Sequence, residues 1–99
     1  MRVLIVCSVG MSSAILLKAI RLEAEKQGMD LELKAIGAHE LEDELPHSDL
    51  ALIAPQIRHR YASLLAIGKR LKKPVHLIPA TGYTPLGANK VLEILKKEL

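Results

Sequence analysis

Apolar residues follow two kinds of pattern along the chain. Val3-Leu4-Ile5-Val6 and Leu50-Ala51-Leu52-Ile53-Ala54 are unbroken runs of strand length, which predict central strands covered by helices on both faces. Leu31-Glu32-Leu33-Lys34-Ala35 alternates instead, and Val75-His76-Leu77-Ile78 carries a polar residue on one side, which predicts less fully covered strands at the edges. Between these runs lie helical patterns. Ser12 to Gln27 places Lys18, Arg21 and Glu25 on one polar face, and Ile57 to Lys72 places Ile57, Tyr61, Leu64, Leu65, Gly68 and Leu71 on one apolar face. Gly28 is positioned as a C-cap for the first, and Pro74 stops the second. A turn-and-helix piece around Ala38 to Glu44 joins the second and third strands. Leu86 to Glu98 closes the chain as a helix with Ala88, Val91, Leu92 and Leu95 facing inward.

The element order β-α-β-α-β-α-β-α, with right-handed crossovers and the two apolar strands in the middle, predicts an α/β fold. It is expected as one three-layer domain over residues 1–99, with a four-stranded parallel sheet in order 2-1-3-4 and helices on both faces. Where strands 1 and 3 are neighbours, their following helices leave to opposite faces and a crevice opens at the carboxyl ends of the strands. Cys7 is expected at the lip of that crevice.

Composition narrows the class without naming a chemistry. The 99 residues are 49% hydrophobic and 25% charged, enough for one modest core and typical of a soluble globular domain. A net charge of +3 is too small to mark a nucleic-acid protein and suits an acidic partner or a phosphoryl group equally. With 2 tyrosines and no Phe or Trp, a base-stacking surface is disfavoured. One cysteine excludes an internal disulfide, and Val3 to Val6 is too short for a signal-peptide core, so a reducing cytoplasm is expected. No apolar stretch approaches the ~20 residues that span a bilayer, so direct membrane insertion is not expected.

The segment Cys7-Ser8-Val9-Gly10-Met11-Ser12-Ser13 carries the candidate chemistry. It puts the chain's one thiol at the end of a buried strand and follows it with three serines and a glycine, poor core material but natural ligands for an oxyanion. Amides of residues 8 to 13 and the positive end of the first helix stabilise a thiolate, and would equally stabilise a phosphate on sulfur. A buried cysteine ending a core strand, with no reactivity, is the plainer alternative. The spacing also bears on the reaction. A cysteine phosphatase loop reads C-x5-R, with the arginine on the phosphate, but Ser13 stands six after Cys7. A phosphoryl group on Cys7 would therefore persist and be passed on, which fits a carrier better than a hydrolase.

At these residues the chain resembles a IIB component of the bacterial phosphoenolpyruvate-dependent sugar phosphotransferase system, of the lactose/cellobiose type. Arg2 to Ser13 is similar to that family's first strand and Cys-Ser-x-Gly-Met-Ser loop, and Leu52-Ile53-Ala54-Pro55-Gln56-Ile57 to its third-strand end. Length and element order extend the resemblance over the whole chain. The resemblance implies a phosphotransferase in which the loop cysteine, here Cys7, accepts a phosphoryl group from a phosphohistidine on a IIA partner. It then delivers that group to a sugar held by a membrane IIC partner. It implies no cofactor and no metal, a cytoplasmic monomer, and contact with the inner face of the membrane through IIC alone. After the fourth strand the chain departs from the family: Pro79-Ala80-Thr81-Gly82-Tyr83 stands where relatives carry an aspartate and, shortly beyond, Tyr-Gly. The sugar class and the cognate partners are left open by that departure.

Other residues border the expected crevice. Gln56 and Arg58, in Pro55-Gln56-Ile57-Arg58-His59-Arg60, follow the third strand at the same sheet edge as Cys7, and Arg58 and Arg60 suit an acidic or phosphorylated partner. A solvated helix start explains them as readily. Thr81 and Tyr83 are placed to flank the site, although a turn before Pro85 accounts for them almost as well. His39, His47, His59 and His76 lack metal-ligand spacing, so no zinc site is expected. A cysteine phosphatase-like enzyme and an anion-binding regulatory domain remain the competing readings. A receiver domain is opposed by Ala54-Pro55 at the end of the third strand, where a receiver has an aspartate.

Overall fold

The two unbroken apolar runs form the middle of the sheet. The computed structural model of the protein describes residues 1–7, 13–79 and 88–98. Strands β1 (Arg2–Cys7), β2 (Glu32–Gly37), β3 (Leu50–Ile53) and β4 (Val75–Leu77) form a parallel sheet in the order β2-β1-β3-β4, as the patterning predicts. Helix α1 (Ser13–Lys26) follows β1, the short α2 (Leu41–Glu44) lies between β2 and β3, α3 (Tyr61–Leu71) between β3 and β4, and α4 (Ala88–Lys96) closes the chain.

Alternation along the central strands divides the core in two. Val3 and Ile5 of β1 with Leu50 and Leu52 of β3 pack beneath α1 and α4, against Ile20, Ala24, Val91, Leu92 and Leu95. Leu4 and Val6 with Ala51 and Ile53 face the other way, toward Leu41, Leu45 and Leu64. Each fully buried Leu or Ile contributes roughly 1.5–3 kcal/mol, and both faces of β1 and β3 collect this, which is why these strands read as continuous apolar runs. The edge strand β2 keeps Glu32 and Lys34 exposed, as alternation requires.

The structure corrects several boundaries. The second strand begins one residue later than its apolar pattern and continues to Gly37, carried by its pairing with β1 out to Cys7. The helix expected from Ile57 to Lys72 is two pieces: a 3-10 segment Pro55–Arg60, broken at Ile57 (φ −115°, ψ 26°), and then α3 from Tyr61. Pro55 at the start and the buried side chain of Ile57 hold the first piece against the sheet. Nor does Pro74 itself end α3. Lys72 adopts a left-handed conformation (φ 60°), and the N–H of Lys73 donates to the carbonyl of Gly68 at 2.9 Å, closing the helix two residues earlier. Gly28 does the same for α1 as expected, with φ +70° and the N–H of Met29 donating to Ala24 O at 2.8 Å.

Candidate functional site at the carboxyl end of the sheet

Cys7 is the last residue of the central strand β1, and its register partner Gly37 is the last of β2. On the other side the ladder continues one step beyond β3, where the Ala54 N–H donates to Val6 O at 2.8 Å. Cys7 thus lies between two chain ends that turn away from the sheet, each about 4.8 Å distant. Cys7 is 7% exposed, and its thiol donates to the carbonyl of Ile36 at 3.7 Å. Strict alternation would send this side chain toward α1 and α4 with Val3 and Ile5, yet it clusters with Val6, Ile36, Ile53, Ala54 and Ile57 on the α2 and α3 side. The ladder ends at Cys7, so the pleat no longer dictates its direction.

The flanks of Cys7 differ in charge. On the β2 side, the Gly37 N–H donates to the Glu40 carboxylate at 3.2 Å, and the His39 imidazole lies 3.8 Å from the same carboxylate. On the β3 side come Gln56, Arg58, His59 and Arg60, all exposed. There Arg58 folds back so that Nη1 donates to Pro55 O at 3.4 Å. Among the described residues neither Arg58 nor Arg60 pairs with a carboxylate.

The structure therefore brings Gln56 and Arg58 to the same sheet end as Cys7. Ser8, Val9, Gly10, Met11, Ser12 and Tyr83 lie outside the described residues, as do Ala80, Thr81 and Leu86. Ser13 is the first residue of α1. Glu40 and the Ile36 carbonyl belong to no motif in the sequence. Their signal is indirect: Gly37 with Glu40 three residues on marks a turn, but only the parallel register puts that turn beside Cys7.

The opposite end of the sheet holds a cleft of about 360 Å³ lined by Arg2, Glu32, Lys34, Glu44 and His47 among others. Its lining includes no cysteine, and its charges pair internally: Arg2 with Glu32 and Lys34 with Glu44, both at 3.0 Å. Among the described residues no three His, Cys, Asp or Glu side chains converge as a metal site. No described helix is long and apolar enough to cross a membrane.

Comparison with known proteins agrees with the fold. The family described as "PTS system, Lactose/Cellobiose specific IIB subunit" matches residues 2–96. The oligo-beta-mannoside-specific EIIB component of the phosphotransferase system of Bacillus subtilis (strain 168) is 25% identical over 92 residues, 93% of this chain and 89% of that protein. The cellobiose-specific phosphotransferase IIB component of Borrelia burgdorferi superposes with a TM-score of 0.80 at 28% identity, covering 99% of this chain and 90% of the other. The lactose-specific IIB domain of the phosphoenolpyruvate:carbohydrate phosphotransferase system of Streptococcus pneumoniae superposes with a TM-score of 0.83, covering 99% and 96%; at 22% identity it speaks for the fold alone. With nearly the whole chain matched, the protein belongs to the lactose/cellobiose-specific IIB family of the sugar phosphotransferase system.

Proposed function

We propose that the protein is a phosphoryl carrier in which Cys7 alternates between a thiolate and an S-phosphocysteine. The observation that carries this reading is the place of Cys7: the one thiol of the chain ends a central parallel strand at the strand-order switch between β1 and β3, where open α/β sheets bind ligands. Family membership supplies the donor and acceptor classes, a phosphohistidine on a IIA protein and a sugar held by a membrane IIC protein, with Cys7 working on the cytoplasmic side.

In the first step the Cys7 sulfur, having given up its thiol proton, forms a bond to phosphorus while the phosphorus–nitrogen bond of the donor breaks, its electron pair going to the imidazole nitrogen, and the proton ends on the departing imidazole. In the second, a sugar hydroxyl oxygen attacks phosphorus, the sulfur–phosphorus bond breaks, the thiolate is restored and the hydroxyl proton is released. Both are in-line displacements, so the protein's task is positioning and charge stabilisation. The loop from Ser8 to Ser13 offers amides and hydroxyls for both. The Cys7 sulfur rests largely buried beside the Ile36 carbonyl, 3.7 Å away. Hydrolysis is disfavoured because Ser13 occupies the position at which a cysteine phosphatase has its arginine.

Intact-mass and peptide mapping after incubation with phosphoenolpyruvate, the general phosphotransferase proteins and candidate IIA proteins tests the reading. One phosphoryl group on Cys7, absent from Cys7→Ser, supports it. No added mass with any donor, while Cys7 still reacts with an alkylating agent, overturns it in favour of an anion-binding regulatory role.

A further inference from the structure

Charge is distributed unevenly along the chain. Residues 1–49 carry nine carboxylates and five Lys or Arg, whereas residues 50–99 carry two carboxylates and nine Lys or Arg, with no Asp or Glu between Leu50 and Leu92. At the carboxyl end of the sheet this imbalance becomes a polarity across Cys7. The Glu40 carboxylate accepts from the Gly37 N–H on the β2 flank at 3.2 Å, while Arg58 Nη1 donates to the Pro55 carbonyl on the β3 flank at 3.4 Å.

A short chain of bonds locates Arg58 relative to the sulfur. Its guanidinium donates to Pro55 O, Pro55 follows Ala54, and Ala54 donates to Val6 O, the residue before Cys7. The break at Ile57 turns the chain here, and the buried Ile57 side chain, clustered with Cys7, anchors that turn. One guanidinium N–H is used by Pro55. The remaining fork meets no carboxylate among the described residues and suits two oxygens of a phosphoryl group.

We propose that Arg58 is a specificity-determining residue of the transfer site, binding the phosphoryl oxygens presented beside Cys7 from the β3 side while Glu40 disfavours their approach from the β2 side. The proposal rests on the carrier reading for its donor. No bond to Arg58 forms or breaks; its charge distinguishes a phosphorylated donor from the same donor after transfer. Because the guanidinium meets the phosphoryl group before and during transfer, it acts mainly on donor binding.

Two measurements test this. The first is transfer kinetics from the phosphorylated donor: Arg58→Gln raises KM about 10-fold or more with kcat changed less than threefold, Arg58→Lys recovers part of the loss, and Glu40→Gln lowers KM about twofold. The second needs no partner. Inorganic phosphate slows alkylation of Cys7 in the native protein, against chloride at equal ionic strength, and this protection is lost in Arg58→Gln. Thermal melting checks that the exposed substitution leaves the fold intact. An unchanged KM in Arg58→Gln, equal phosphate protection in both proteins, or none in the native protein overturns the proposal and leaves the carrier reading standing. Arg58-dependent protection by phosphate in a protein that never accepts a phosphoryl group supports the anion role and overturns the carrier reading instead.

Discussion

At its amino end the parallel sheet is tied together by charged groups, and at its carboxyl end it is not. The Arg2 backbone N–H donates to Asp49 at 2.6 Å, its Nε to Glu32 at 3.0 Å and its Nη1 to the His47 carbonyl at 3.4 Å, while Lys34 pairs with Glu44. The carboxyl end has one such fixed carboxylate, Glu40, and two arginines, Arg58 and Arg60, without acidic partners among the described residues. The same strands thus end in satisfied charge on one side and in a thiol beside available cations on the other. The contrast teaches that a well-shaped cleft is a poor guide to chemistry here: the cleft lies at the tied end, where every cation lining it already has an acceptor.

On this division, substitutions at the carboxyl end change transfer and leave stability nearly alone, and substitutions at the amino end do the reverse. The largest effect is expected at Cys7. Cys7→Ser abolishes phosphoryl acceptance in the intact-mass assay, yet its hydroxyl still donates to Ile36 O, so urea unfolding shows a loss of about 1 kcal/mol or less. Next comes Gly68, where α3 crosses the start of β4. A Cβ there would overlap Val75 Cγ2 and sit 2.8 Å from the Lys73 carbonyl oxygen, and a backbone atom does not yield easily. Overpacking outweighs the gain in helix propensity, and Gly68→Ala loses a net 1–2 kcal/mol, roughly, with transfer rates unchanged. A Gly68→Ala protein that keeps its unfolding midpoint but transfers poorly would contradict the division.

How far the fold was legible follows from the same physics. The central strands were legible because burial on both faces leaves no polar position in Val3 to Val6 or Leu50 to Ala54, and Gly28 because few other residues take its positive φ. The break at Ile57 was not legible. A 3-10 segment shares its i, i+3 contacts with an α-helix, so Ile57, Tyr61 and Leu64 read as one face whether or not the chain bends between them. Lys72 was hidden because a lysine does not advertise a left-handed residue. At the site, Cys7 was visible through the loop that follows it, whereas Glu40 gains meaning only from the register of Gly37 against Cys7. The loop residues Ser8 to Ser12 and Tyr83 were identified from the sequence and lie outside the described residues.

Within the amino end, Asp49 should matter more than any side-chain pair. Its carboxylate receives the N–H that opens β1, directly before β3, and the Asp49 N–H donates to the Arg2 carbonyl at 2.8 Å in return. Asp49→Ala removes the first bond only and exposes the Arg2 N–H to water, so a loss of about 1 kcal/mol is expected, read as a lower urea midpoint at constant slope. Asp49→Asn, which retains an acceptor, loses less.

The smallest effect is expected from the Arg2 and Glu32 side chains, and it is the sharpest test of how the amino end is held. Their separation of 3.0 Å is good, but the side chains are 64% and 71% exposed. Water weakens the attraction, and holding two flexible side chains together costs entropy, so a double-mutant cycle with Arg2→Ala and Glu32→Ala should give about 0.2–0.5 kcal/mol of coupling. Because Asp49 binds the backbone N–H of Arg2, truncating the side chain leaves that tie in place and the cycle isolates the ion pair. The coupling should vanish near 1 M salt, where screening acts within about 3 Å. A coupling above about 1 kcal/mol that survives salt would mean instead that Arg2, Glu32 and the His47 carbonyl act as one network. The amino end would then owe its stability to cooperative charge pairing, and the backbone ties through Asp49 would be secondary.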